Sequence, residues 1–349
     1  MRITIPFCFL ILSIFFVLHS KSLIHPYKYP FPFELQDISF QDKQYSFPYN
    51  PRKLNKNPND TIYVAILDQH FFPNPSQCLM KNQWIDPFLT KEQIEGVEWY
   101  SFANYTNKNC SIRPITVSPP PKKTKIINIE TYLLIETFKN YINRSKSGYL
   151  FLVGDSAFIN VDKILQFFED IRIGYPSPIT TNFARGGCIE KRYFFHLFVY
   201  NCGLLISRAA VIEMLNSKIW EICIQITLPT EEVLGQIFDS VNVIVHSHQQ
   251  GEFISAEFAD PLSFQKLINK NFSNLIECKY TGLKWAFPGT VSSCDQSYHR
   301  INDIFGWHAT IDGNETKFLE LAPKIVNETP NNIGYVWNKD QIYLCEIKE

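Results

Sequence analysis

Leu150-Phe151-Leu152-Val153-Gly154-Asp155-Ser156-Ala157-Phe158-Ile159-Asn160-Val161 is the stretch from which the rest of the chain can be read. The run from Tyr149 to Val153 is apolar without polar alternation, the pattern of a strand buried on both faces. It ends in Gly154-Asp155-Ser156, a turn composition. Asn160 then stands where a helix N-cap belongs, ahead of Ile164, Leu165 and Phe168 on one helical face. Strand, acidic turn and helix in that order form part of a βαβ unit. In sheets built from such units ligands bind beyond the carboxyl ends of the strands, and Asp155 sits at one of them.

The pattern extends both ways. Thr61 to Leu67 is a second continuous apolar run rich in β-branched residues, and Val97 to Phe102 is a third candidate strand. Pro114 and Pro119 to Pro121 interrupt the chain. Lys122 to Asn143 then repeats Ile127, Leu134, Phe138 and Tyr141 at helical spacing. Phe198 to Ile206 reads as a strand, with Ser207 capping a helix through Leu215. Leu228-Pro229-Thr230 opens a helix carrying Glu231 and Glu232 in its first turn and Val233, Leu234, Ile237 and Phe238 on its apolar face. Val241 to Val245 is a further strand, running into His246-Ser247-His248. This alternation predicts an α/β domain over residues 59–260: a mostly parallel sheet with helices on both faces. From 261 to 349 the pattern changes to short runs such as Ile333 to Trp337 and Gln341 to Ile347, among Trp285, Trp307 and Trp337, which predicts a β-rich C-terminal lobe.

The 349 residues carry a formal net charge of −1, which argues against a nucleic-acid partner, because phosphate backbones select clustered Lys and Arg. Ile3 to Leu18 holds no charged residue and reads either as a cleaved signal peptide ending near Ser20 or as a short membrane anchor. Both place the remainder in the secretory pathway, behind a Pro-rich stem over residues 21–58. Cys8 lies inside the apolar run. The other eight cysteines, Cys78, Cys110, Cys188, Cys202, Cys223, Cys278, Cys294 and Cys345, are the even set a disulfide framework requires. Proximity in sequence predicts Cys78–Cys110 and Cys278–Cys294 pairs. Seven Asn-X-Ser/Thr acceptors, at Asn59, Asn104, Asn109, Asn143, Asn271, Asn314 and Asn327, point the same way. Neither a Gly-X-Ser-X-Gly elbow nor a His-Glu-X-X-His motif is present to support a hydrolase.

Five segments together resemble the Fringe-like β-1,3-glycosyltransferases of GT-A fold. These are Leu150–Val161, Ile173-Gly174-Tyr175-Pro176-Ser177, Cys202-Gly203-Leu204-Leu205-Ile206-Ser207-Arg208, Leu228-Pro229-Thr230-Glu231-Glu232-Val233-Leu234-Gly235 and Val245-His246-Ser247-His248. They follow the family's order and spacing across roughly residues 125–250. The resemblance implies a GT-A (Rossmann-like) sheet and an inverting transferase moving a hexose from a UDP-sugar to a glycan or glycoprotein acceptor. It also implies the Golgi or ER lumen, as a single-pass type II membrane protein or a secreted one. By the same resemblance Asp155, Ser156 and Gly203 contact the nucleotide, Asp155 and His246 ligate Mn²⁺ or Mg²⁺, and Glu231 is the catalytic base. A carboxylate at a helix N-terminus favours its charged form, so Glu231 is expected to be ionised at neutral pH.

The family carries three consecutive Asp where this chain has Gly154-Asp155-Ser156, and glycines where it has Tyr200 and Asn201. Glu at position 231 is one methylene longer than the family's Asp. These departures keep a second function open: a GT-A fold without transfer activity, serving as a lumenal binding or chaperone-like protein. An unrelated secreted α/β binding protein or hydrolase is a third.

Overall fold

The computed structural model describes residues 57–68, 76–104, 106–120, 126, 128–174, 177–186, 191–192, 195–196, 200–245, 253–255, 261–278, 298–311, 314–338 and 341–348. The apolar run at 3–18, most of the stem, the Tyr175-Pro176 pair, Cys188, His246 to His248, Trp285 and Cys294 lie outside them.

The chain is an α/β protein. Its central strands are β1 (Ile62–Leu67), β2 (Ile94–Ser101), β3 (Ile115–Thr116) and β4 (Tyr149–Gly154). Between β1 and β2 lies the short helix α1 (Ser76–Met80), and between β3 and β4 lies α2 (Ile129–Arg144). After β4 come β5 (Phe158–Ile159), α3 (Val161–Gly174), β6 (Phe183–Gly186), β7 (Leu204–Ser207), α4 (Arg208–Ser217), α5 (Thr230–Ser240) and β8 (Ile244–Val245). Among the described residues seven strands form one sheet in the order β8-β6-β7-β4-β1-β2-β3.

β1 and β4 run parallel, Leu67 opposite Gly154, and every residue of both is buried. Period-two alternation divides them between two layers. Ile62, Val64 and Ile66, with Tyr149, Phe151 and Val153, face one core together with Ile164, Phe167, Phe168 and Ile171 of α3. Tyr63, Ala65 and Leu67, with Leu150 and Leu152, face the other, covered by α2, α4 and α5 through Phe138, Met214 and Ile237. Helices on both faces explain why these strands lack polar positions.

The sheet is mixed rather than simply parallel. β7 is antiparallel to β4 on one side and to β6 on the other, while the remaining pairs are parallel. The strand expected from Phe198 starts only at Leu204, because Tyr200 to Gly203 is a turn closed by Gly203 N–H donating to the Tyr200 carbonyl at 3.0 Å. Gly203 takes φ +124°, and a Cβ there would lie 2.8 Å from the Phe151 and Phe253 rings. Ser207 caps α4 as its sequence predicts, accepting from Ala210 N–H at 3.3 Å.

The C-terminal residues supply β9 (Phe253–Ser255), α6 (Pro261–Ile268), β10 (Ile276–Glu277), β11 (Tyr298–Arg300), β12 (Gly306–His308), α7 (Glu315–Glu328), β13 (Ile333–Asn338) and β14 (Gln341–Glu346). β9-β12-β5 form one small sheet and β10-β14-β13-β11 another. Trp307, Phe318, Tyr335 and Leu344 enter the same core cluster as β1 and β4. β10 and β14 pair in parallel with Ile276 opposite Cys345, which brings Cys278 to Cys345, and these two are disulfide-bonded. The expected Cys278–Cys294 pairing is therefore corrected: strand pairing, not sequence proximity, selects the partner. Cys78 and Cys110 are free thiols, hydrogen-bonded to each other, and burial pushes the Cys110 thiol up to about 12.

Candidate functional site

The carboxyl ends of β1 and β4 lie side by side, so the residues that follow them, Asp68 and Asp155, emerge at one level. Both carboxylates are buried. Asp68 accepts from the Trp99 indole N–H at 3.0 Å, and its own N–H donates to the Tyr100 carbonyl. The Asp155 backbone carbonyl accepts from the Ser76 hydroxyl at 2.8 Å, which fastens the start of α1 to the turn.

Two helix N-termini meet over the same place. Asn128 caps α2, its Oδ1 accepting from Thr131 N–H at 2.9 Å, while its Nδ2 donates to the Leu228 carbonyl at 2.6 Å. The Thr131 hydroxyl donates to Thr230 Oγ1 at 3.2 Å. One asparagine and two threonines thus lock the first turns of α2 and α5 together. That lock sets Glu130 near Glu231. The negative charge of Glu130 acts on Glu231, and that of Asp155 acts on Glu130.

The electrostatics correct one expectation. Glu231 is pushed up to about 7, chiefly by burial; its own backbone N–H pulls the other way, and Glu130 and Glu232 add smaller raising contributions. Loss of water exceeds the benefit of the helix end, so the group is divided between its two forms at neutral pH. Glu130 is also raised, again chiefly by burial and against a hydrogen bond from the Tyr200 hydroxyl. Asp155 and Glu231, 76 positions apart in sequence, are thereby linked through Glu130, a residue that no motif singled out.

The departures at 154 and 201 fit each other. Gly154 N–H donates to the Asn201 carbonyl at 3.1 Å, and a Cβ on Gly154 would stand 3.2 Å from Asn201 Oδ1. The Asn201 side chain thus occupies the space that a residue-154 side chain would enter. Its Oδ1 is buried and lacks a hydrogen-bond partner among the described residues. Tyr200, the other replaced glycine, holds Glu130. Ser156 is 1% exposed and its Oγ lies 2.9 Å from His308 Nε2 of β12. Gly203 packs against two phenyl rings beneath this turn.

Oxygen donors are what a hard divalent cation takes, and the buried Asp155 carboxylate is a donor of that kind. Among the described residues, no group of three or more His, Cys, Asp and Glu side chains is placed to hold a metal; His246 lies outside them. No family model matches the chain, and no curated protein matches it.

Proposed function

We propose that the protein is an inverting glycosyltransferase of the GT-A type, moving a hexose from a UDP-sugar to a hydroxyl of a glycan or glycopeptide, with the β-1,3 linkage implied by its sequence resemblance. The observation that carries this proposal is the electrostatic coupling of Glu130 both to Asp155, at the carboxyl end of a central strand, and to Glu231. Asp155 contacts the donor's diphosphate side. Mn²⁺ or Mg²⁺ would be held by Asp155 and His246, the ligands implied by resemblance, and when bound it supplies positive charge for the departing diphosphate.

Glu231 does the proton work. Its carboxylate accepts the proton of the acceptor hydroxyl as that oxygen bonds to the anomeric carbon; the bond from that carbon to the diphosphate oxygen breaks, and UDP leaves with the electron pair. A base near 7 is matched to neutral conditions, holding enough ionised form to act and enough basicity to take the proton. Burial sets that value, with a smaller contribution from Glu130, whose carboxylate the Tyr200 hydroxyl holds.

A lumenal setting accords with six acceptor asparagines being exposed, Asn104, Asn109, Asn143, Asn271, Asn314 and Asn327, and with Asn59 being partly so. No described helix is long and apolar enough to cross a membrane; an anchor or signal would lie in the 3–18 run. The engagement of Ser156 by His308 favours a second function, a UDP-sugar-binding protein without turnover. A donor screen separates the two. Release of UDP from one UDP-sugar, lost in Glu231→Gln while UDP binding persists, supports the transferase. Binding without release from any donor supports the second.

A further inference from the structure

Residues 76–89 form one continuous helix with an irregular turn at its centre. α1 (Ser76–Met80) runs into a π-helical turn at Lys81–Ile85 and ends in the α-helical turn Asp86–Leu89. Asp86 N–H donates to the Lys81 carbonyl, five residues back in place of the usual four. Over eight residues a regular α-helix turns twice and about 80° beyond, so Trp84 would stand well round from Ser76. The wider turn rotates less per residue and returns Trp84 toward the Ser76 face. Both side chains are fully buried.

Their donors end on one turn. The Ser76 hydroxyl donates to the Asp155 carbonyl at 2.8 Å, and the Trp84 indole N–H donates to the Ala157 carbonyl at 3.0 Å. Ser156 lies between these two held carbonyls. The turn's own closure, Ala157 N–H to the Gly154 carbonyl, is 3.4 Å, longer than ordinary N–H···O bonds. The helix thus supplies shorter ties than the turn supplies for itself. The helix is anchored by α7. Pro323 lies inside α7 and has no N–H, so the Leu319 carbonyl four residues earlier loses its regular helical donor. Gln83 Nε2 donates to that carbonyl at 2.7 Å. The adjacent side chains of Gln83 and Trp84 therefore tie the π-helical turn to α7 and to the Asp155 turn.

We infer that Trp84 and Ser76 are positioning residues of the site: by holding the Asp155 and Ala157 carbonyls they keep the Asp155 turn in the arrangement that meets the diphosphate side of a UDP-sugar. The inference rests on the transferase function proposed above. Both residues act through the backbone that carries Asp155, and the π-helical turn is what lets one helix reach both carbonyls.

The test measures UDP affinity in Mn²⁺ by calorimetry, and hydrogen exchange of peptides spanning residues 153–160. It compares the full chain with Trp84→Phe, Ser76→Ala and Val211→Ala. Trp84→Phe keeps an aromatic ring and removes the N–H, whereas Val211→Ala loosens packing in the other core layer. A buried carbonyl without its donor frees the turn to take other arrangements. With the competent one held about a tenth of the time, apparent UDP affinity falls about tenfold. Trp84→Phe should show that loss together with faster exchange over residues 153–160. Ser76→Ala should show smaller changes in the same direction, and Val211→Ala neither. Ser76→Ala carries the comparison if Trp84→Phe does not fold. Unchanged UDP affinity or unchanged exchange in both variants, or an equal loss of affinity in Val211→Ala, overturns the inference and leaves the transferase proposal standing. Wild-type protein that binds no UDP overturns both.

Discussion

Glu231→Gln should make the protein inactive and, above neutral pH, more stable. In the folded chain Glu231 titrates at about 7 rather than the ordinary 4.5. A raised acid holds its proton more tightly folded than unfolded, so between those two values the folded state binds the extra proton and stability falls as pH rises. The loss is complete above about 7 and absent below about 4.5. Two and a half pH units at about 1.4 kcal/mol each set an upper figure of about 3.5 kcal/mol, and partial exposure reduces it to about 2 kcal/mol. Glutamine has nearly the same volume and cannot ionise, so the substitution removes this penalty. Thermal unfolding in EDTA should therefore show Glu231→Gln melting several degrees above wild type at pH 8.5, with the gap closing toward pH 5. Transfer should fall by about 10²- to 10⁴-fold, the contribution of a positioned base. A variant no more stable than wild type at pH 8.5, or equally stabilised at pH 5, would refute the claim that Glu231 is held ionised at a cost.

Other substitutions probe neighbouring parts of the account. With Glu231 as base, kcat/KM should rise with pH and level off above about 7; Glu130→Gln removes a negative neighbour and should move that rise to lower pH. Gly306→Ala forces a methyl into the Cys202 carbonyl and should destabilise the fold by about 1–3 kcal/mol, read by urea denaturation. Cys345→Ser opens the bond to Cys278 and should cost about 2–4 kcal/mol, and non-reducing peptide mapping of secreted protein should recover Cys278–Cys345. Endoglycosidase treatment of the same material should shift its mobility, since the exposed acceptor asparagines are open to glycans.

What was legible in the sequence was the part decided by local pattern. Unbroken apolar runs at Ile62–Leu67 and Tyr149–Gly154 mark strands covered on both faces, and Ser207 and Asn160 mark helix starts; each signal acts within a few residues of itself. Asp155 followed directly, as the residue after a buried strand. The rest depends on pairings across long stretches of chain. Nothing in Leu204–Ser207 itself tells that β7 runs against both neighbours, because strand direction is set by how the chain arrives. Glu130 is an ordinary first-turn acid until Asn128 reaches the Leu228 carbonyl, 100 positions away. His308 sits in a three-residue strand too short for a periodic signal, and its meaning comes from β5, some 150 positions earlier. Asn201 and Gly154 each look like a defect alone and become intelligible only in contact.

The most direct measurement is UDP release from a panel of UDP-sugars with Mn²⁺ and a pool of glycan and glycopeptide acceptors, run in parallel on wild type and Glu231→Gln, with UDP affinity measured for both. The proposed function predicts acceptor-dependent release from one donor by wild type, loss of that release in Glu231→Gln, and matching UDP affinities for the two proteins. Equal release by both proteins, or absence of UDP binding by wild type, would contradict it.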